Sequence, residues 1–302
     1  MKSSPLKTAV LFLVYNRLDT TKQVFEAIRQ TKPLRLYIAS DGPKEGEAEK
    51  VQAVREYLTS RIDWDCEIKT LFREKNLGCR MGVSSAITWF FENEEKGIIL
   101  EDDCLPSQSF FWFCEELLER YKDDMRVWHI AGNNFLNGYV RDPDYSYYFS
   151  YYGSIWGWAS WANRWNKYDV EIKSYPEIRD KKYLWDVFGN WPEAKFRTSN
   201  FDSTIDGFNT WDYQWNYARF INSGLSIVPN VNLIKNIGFG KNATHTHNKN
   251  DPRSRMPSCD IQLPLNHPAF LIRDKISDDR FFKRYINTRM NSIKNMIKKI
   301  FK

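Results

Sequence analysis

Cysteine is scarce in this 302-residue chain, and the five present (Cys66, Cys79, Cys104, Cys114 and Cys259) are odd in number, with no Cys-x-x-Cys or other metal-ligand spacing. That pattern speaks against a disulfide framework and a thiolate zinc site, and for reduced, mostly buried thiols. Long apolar runs are missing too. No stretch approaches the ~20 residues that span a bilayer, and the run after Met1-Lys2-Ser3-Ser4-Pro5 is too short for a signal peptide. The expected location is therefore cytoplasmic. Surplus charge is absent from most of the chain: the formal net charge is +6, but Arg280 to Lys302 holds eight Lys/Arg and no acid, which leaves 36 basic against 38 acidic residues elsewhere. A near-neutral body argues against a nucleic-acid groove. Internal repeats are also lacking.

What is present is a break in chemistry at Gly97-Ile98-Ile99-Leu100-Glu101-Asp102-Asp103-Cys104-Leu105-Pro106. A short apolar run of this kind reads as a strand buried on both faces. In open α/β sheets, ligands sit at the carboxyl ends of strands. Three acids at such an end repel one another unless a positive charge shares the site. A hard divalent cation, Mg²⁺ or Mn²⁺, fits, with phosphate oxygens and water completing its shell. An acidic turn complementing the next helix would show the same letters.

Strand-like runs alternate with helical spacing through the first 130 residues or so. Ala9 to Tyr15, Leu34 to Ala39, Glu67 to Phe72 and Val127 to Ala131 read as further strands; helices are expected from about Asp19 (Asp19 or Thr20 as N-cap) to Gln30, Glu47 to Thr59, Gly82 to Glu94 and Ser107 to Tyr121. This alternation predicts an α/β fold, a mostly parallel sheet with helices on both faces.

The second half is rich in aromatics. The chain has 12 Trp, 16 Tyr and 20 Phe, and eight of the tryptophans fall between Trp156 and Trp215. Rings such as Trp161 and Trp165 read singly as core; the cluster as a whole suggests that some line a cleft for sugar rings. Asp206 to Asn222 reads as one helix carrying Asp212 between Trp211 and Trp215. An acid so flanked is partly desolvated, which raises its pKa and suits a proton acceptor. Leu225 to Ile237 reads as strand broken at Pro229, and Gly238 to Met256 as a mobile lid whose His245 and His247 form a weak metal or phosphate signal. In the tail, Phe282, Ile286, Met290, Ile293, Ile297 and Ile300 recur at helical spacing among Lys and Arg. Such a basic amphipathic helix either lies on an anionic membrane surface or docks on the body or a partner.

Taken in order, Leu13-Val14-Tyr15-Asn16-Arg17, Ser40-Asp41-Gly42, Lys75-Asn76-Leu77-Gly78, Leu100-Glu101-Asp102-Asp103, Gly157-Trp158, Trp211-Asp212 and Gly238-Phe239-Gly240 resemble a GT-A-fold glycosyltransferase, and within that fold the N-acetylglucosaminyltransferase I-like group. The resemblance covers most of Ala9 to Gly240. It implies that Arg17 contacts the donor diphosphate, Asp41 the uracil or ribose, Glu101 and Asp102 the sugar and ribose, and that Asp103 ligates the metal. Asp212 matches the segment that carries the family's catalytic base, although Trp211-Asp212-Tyr213-Gln214-Trp215 has one acid and one extra residue relative to it. Arg80 is placed as a phosphate contact in a loop whose alignment is ambiguous. The implied division is a donor half (1–132), an acceptor half of the same domain (133–275) and a basic C-terminal helix (276–302).

The expected activity is metal-dependent, inverting transfer of a sugar from a nucleotide-diphosphate donor, a UDP-sugar and by resemblance UDP-N-acetylglucosamine, to a glycan or glycolipid hydroxyl. Absence of the family's membrane anchor, together with the basic tail, suggests action at the inner face of the cytoplasmic membrane. Two other readings stand beside it. A sugar nucleotidyltransferase would want a Gly-rich phosphate loop after the first strand, and Val14-Tyr15-Asn16-Arg17-Leu18 is not one. A carbohydrate-binding scaffold would explain the aromatics but has no need of three acids.

Overall fold

Period-two alternation along wholly buried strands sets the architecture of the computed structural model, which describes residues 5–240 and 251–287. On β1 (Ala9–Val14), Val10, Phe12 and Val14 belong to one apolar cluster, and Ala9, Leu11 and Leu13 to another. A strand that is apolar on both sides must have cover on both. On the first side lie α1 (Leu18–Thr31) and α2 (Ala48–Ser60), which flank β2 (Arg35–Ser40) in sequence. After the edge strand β3 (Glu67–Phe72), a single π-turn at Cys79–Val83 runs into α3 (Ser84–Asn93), which covers the second side through Ala86, Ile87, Phe90 and Phe91.

The strand β4 (Lys96–Glu101) ends on the first acid, a short β5 (Cys104–Pro106) follows the turn, and α4 (Gln108–Arg120) returns over the first side. Then come β6 (Val127–Ala131), β7 (Tyr147–Ser150), β8 (Trp158–Trp161) and the helices α5 (Ala162–Trp165), α6 (Tyr175–Asp180), α7 (Tyr183–Phe188), α8 (Trp191–Ile205) and α9 (Asp212–Ile221). The strands β9 (Leu225–Pro229) and β10 (Ile234–Asn236), a 3-10 turn at Pro252–Arg255, the helix α10 (Lys275–Phe281) and a π-helical stretch at Phe282–Asn287 complete the described elements.

Eight strands form one sheet in the order β3-β2-β1-β4-β8-β6-β9-β7, while β10 pairs with β5. β8 and β7 run against the other six, because β8 pairs antiparallel with both β4 and β6 and β7 pairs antiparallel with β9. This is the fold class expected, a mostly parallel sheet with helices on both faces. β8 inserts between β4 and β6, so strands from both halves of the sequence share the sheet.

Of the boundaries that differ from the sequence reading, two lie beside the acids. The helix expected from Asp206 starts at Asp212, because Gly207, in the left-handed region at φ +93°, ends α8 at Ile205. α1 starts after Arg17 rather than at Asp19 or Thr20; the Thr20 and Thr21 hydroxyls donate back to the Arg17 carbonyl at 3.2 and 2.7 Å.

In the tail, Phe282 and Ile286 are buried against Tyr152, with Phe196 and Phe281 packed around them. The first apolar positions of the tail therefore dock on the body. Met290, Ile293, Ile297 and Ile300 lie outside the described residues, as do His245, His247 and most of the expected lid. Among the described residues no helix is long and apolar enough to cross a membrane.

Candidate active site

The same alternation that builds the core decides where the three acids point. Gly97 and Ile99 lie on the α3 side of β4 and Ile98 and Leu100 on the α1 side, so Glu101 continues the α3 side. Asp102 and Asp103 follow in the turn, where Arg17 meets them. Arg17 Nη1 donates to Asp103 Oδ2 at 2.9 Å, and Nη2 donates to Asp102 Oδ1. Thus the cation that the acids require comes first from the chain itself, 86 residues away from Asp103.

One guanidinium does not balance the site. Glu101 Oε1 and Asp102 Oδ2 are enclosed and have no hydrogen-bond partner. Burial first, and then the charges of Asp103 and Asp102, push the Glu101 carboxyl up to about 8. Burial raises Asp102 to about 6 against the pull of Arg17, with Asp103 adding to the rise. Arg17 itself loses solvation by burial, yet the two carboxylates more than offset this and its pKa is raised. At neutral pH Glu101 therefore carries a proton much of the time and can donate a hydrogen bond as well as accept one.

Asp103 is enclosed from above by the β10 end. Its carbonyl accepts the Ile237 N–H at 2.8 Å, and Gly238 lies so close that a Cβ there would clash with Oδ2 and come within 2.6 Å of the Asp103 Cβ. The Cys104 thiol donates to Asp103 Oδ1 at 3.4 Å.

Asp41, at the end of β2, spends its carboxylate on backbone. The N–H groups of Leu77 and Gly78 donate to it at 3.0 Å, and that of Gly42 at 2.9 Å. It thereby fixes the Lys75-Asn76-Leu77-Gly78 loop at the rim. Arg80 is bound to the second half: its Nη2 donates to the Val170 carbonyl, and its N–H donates to Asn209 Oδ1 at 2.8 Å.

Asp212 sits at the first position of α9, half-buried, with Thr210 donating its hydroxyl to Oδ1. Its charge reaches Glu101 and the Cys79 thiol, which burial raises to about 12 with Glu101 and Asp212 contributing. The structure therefore brings Glu101, Asp102, Asp103, Asp212 and Arg17 into one electrostatic neighbourhood, with Asp41 and Arg80 shaping its rim.

Singly, most rings of the aromatic cluster are core, as expected. Trp158, Trp161, Trp165, Trp211 and Trp215 are buried, and Trp158, Trp211, Trp215 and Trp165 pack on one another with ring centroids 5.1–6.3 Å apart. These four fill the space between α9 and the sheet, while Trp161 packs on the other face, its Nε1–H donating to the Leu118 carbonyl of α4 at 3.0 Å. Trp156 is only half-buried, edge-on to Phe239 at 5.6 Å beside Gly238.

One network went unread in the sequence. The Tyr15 hydroxyl donates to Glu47 at 2.6 Å and accepts from the Lys44 N–H at 3.0 Å and Asn76 Nδ2 at 3.3 Å, while Asn16 donates to the other Glu47 oxygen at 2.9 Å. Burial and then the bond to Glu47 raise the Tyr15 pKa to about 12. Only the position of Tyr15-Asn16 after β1 hinted at this role.

A metal ion fits this site in part. Two unpartnered carboxylate oxygens, among four acids that share one guanidinium, suit a cation. Among the described residues, however, no group of three or more His, Cys, Asp or Glu side chains is arranged to hold one. Such an ion would draw one or two carboxylates from the chain and its remaining ligands from phosphate and water.

No family model matches the chain, and no curated protein matches it. Among solved structures it is similar to the mannosyltransferase PcManGT from Pyrobaculum calidifontis in complex with GDP-Man and Mn²⁺, at 12% identity and TM-score 0.37, with 55% of this chain and 47% of that chain covered. It is also similar to TarS from S. aureus, at 11% identity and TM-score 0.35, covering 54% of this chain and 30% of that one. HddC from Yersinia pseudotuberculosis follows at 12% identity and TM-score 0.33, covering 53% of this chain and 80% of that one. The chain thus spans about half the length of the mannosyltransferase.

Proposed function

We propose that the chain is a nucleotide-sugar-dependent glycosyltransferase of the GT-A type, transferring a sugar with inversion from a nucleoside diphosphate, a UDP-sugar such as UDP-N-acetylglucosamine, to a hydroxyl of a glycan or glycolipid. The observation that carries this reading is the enclosed carboxyl end of β4, where Glu101 Oε1 and Asp102 Oδ2 have no partner although Arg17 already serves Asp102 and Asp103. Buried acceptors left unpaired cost free energy, and a ligand with a cation and hydroxyls removes that cost.

In this reading residues 1–132 hold the donor and 133–275 the acceptor. Asp103 would hold Mn²⁺ or Mg²⁺, with Asp102 and Glu101 beside it facing ribose and sugar hydroxyls. When bound, such an ion supplies positive charge against the leaving diphosphate. Arg17 adds its own guanidinium to that stabilisation. Asp41 serves the nucleoside through the loop it fixes, and Arg80, whose backbone N–H ties that loop to Asn209, would contact the diphosphate. Asp212, held by the Thr210 hydroxyl and with its charge felt at Glu101, would accept the proton of the attacking hydroxyl.

The test is calorimetric titration with UDP and with GDP, each with and without Mn²⁺, on the wild type and on Asp103→Ala. Binding of one nucleotide that requires the metal and vanishes in the variant supports the reading. Failure of UDP, GDP and the remaining nucleoside diphosphates alike would sink it.

A further inference from the structure

On the far side of the helical layer, Trp185 and Trp191 stand exposed, at 42% and 54%, with ring centroids 5.8 Å apart and planes tilted by 51°. Together with Lys181, Lys182 and Asp186 they line an open cleft of about 360 Å³. Single exposed apolar side chains are ordinary, but two adjoining indoles in a concavity are not. The core does not need them. On α7 the residues that face inward are Leu184 and Phe188, which pack with Tyr175, Phe201, Tyr217 and Phe220, and Trp185 lies outside that cluster.

Both indoles are held on fixed backbone. Lys182 enters α7 from the left-handed region at φ +60°, and its carbonyl accepts the Trp185 N–H at 2.9 Å. Gly189, at φ +68°, closes the helix by donating to the Trp185 carbonyl at 2.7 Å. The next residue, Asn190, caps α8: its Oδ1 accepts the Glu193 N–H at 2.9 Å and its Nδ2 donates to Glu193 Oε2 at 2.8 Å, which fixes Trp191 at the first helical position. A backbone already fixed in place lowers the ordering cost of binding.

We propose that this cleft is a carbohydrate-binding subsite, separate from the acids at the end of β4, that takes neutral pyranose units of a glycan chain. The two indoles would bury the apolar faces of the sugar rings, and Lys182 and Asp186 supply a donor and an acceptor for hydroxyls. Charge selects this occupant. Lys181 is paired with Glu177 at 2.7 Å, and Asp186 offsets Lys182, so the cleft has no surplus of cations for a polyanion or an anionic lipid surface. This subsite does not depend on the donor reading, and its failure would leave that reading intact.

The test is affinity electrophoresis of the full chain through gels cast with dextran, mannan or hydroxyethylcellulose, alongside Trp185→Ala/Trp191→Ala. Retardation of the wild type in at least one gel is expected, with apparent affinity down about tenfold or more in the double variant and nucleotide titrations unchanged. Trp185→Phe/Trp191→Phe should retain part of the retardation, which separates stacking from misfolding. No retardation in any gel, or equal retardation of the Ala variant, overturns the proposal. So does binding to phosphatidylglycerol vesicles that depends on the two tryptophans while the gels show none.

Discussion

Arg17 grips Asp103 through Nη1 at 2.9 Å and Asp102 through Nη2, so one side chain from the turn after β1 closes the end of β4. Both carboxylates are buried, at 3% and 10% side-chain exposure. Arg17→Ala leaves them without a cation. Removing one partner of a buried pair costs about 3–5 kcal/mol, so urea denaturation at pH 7 should show a loss of that order. The deficit should shrink as pH falls toward 4, where protonation removes the stranded charges. A loss below ~1 kcal/mol at pH 7 would mean that the acids are neutralised by another route.

Glu101 makes stability depend on pH in an unusual direction. Its carboxyl is raised from 4.5 to about 8, so between those values the native chain holds a proton that the unfolded chain has released. Native stability is then greatest at the acid end of that window and falls as pH rises through it. Asp102, raised from 3.8 to about 6, acts in the same sense over a lower window. Glu101→Gln removes the first contribution. Melting curves of variant and wild type should nearly coincide near pH 5 and separate by pH 9, with the variant more stable by a few kcal/mol. A wild-type melting temperature that rises from pH 5 to 9, matched by the variant, would contradict this.

Gly238 is the contact through which the β10 end reaches the acids. A Cβ at 238 would clash with Asp103 Oδ2, so Gly238→Ala must displace either the carboxylate or the strand end. The pair with Arg17 would open, and a ligand positioned by Asp103 would lose its support. Metal-dependent nucleotide affinity should fall about tenfold or more, measured by the same calorimetry, while the far-UV spectrum stays native. Unaltered affinity would separate Asp103 from the donor site.

Asp212→Asn keeps the shape of the first turn of α9 and the hydroxyl contact from Thr210, but removes the proton acceptor. Transfer to the acceptor should drop by about 10² to 10⁴, with donor binding nearly intact. Weakened donor binding at unchanged turnover would place Asp212 on the donor instead.

The strands that carry these residues were legible because burial on both faces leaves a plain mark: AVLFLV and GIIL are apolar without interruption. Glu101, Asp102 and Asp103 were legible for the converse reason, since carboxylates are out of place directly after such a run. The partner of those acids was not. Arg17 lies 86 residues before Asp103, and only the pairing of β1 with β4 brings them together. The strand holding Trp158 and Trp161 was not legible, for a related reason. Trp158-Ala159-Ser160-Trp161 is an antiparallel strand inserted between β4 and β6, buried on both faces, and four letters carry no periodicity from which to read it. Asp212 was read within a helix starting too early, because Asp206-Gly207-Phe208 suits a helix in composition while Gly207 in fact terminates one.

The place of β8 also bears on how the chain is made. Lys96 to Ile99 on β4 pair with residues 158–161, which leave the ribosome some sixty residues later. Until then the nascent sheet ends at an open apolar strand, whose free backbone groups invite pairing with other chains. A fragment stopped after Ala131 would keep that edge permanently. Residues 1–131 are therefore not a unit to be expressed alone; their sheet is sealed by the strand that follows them.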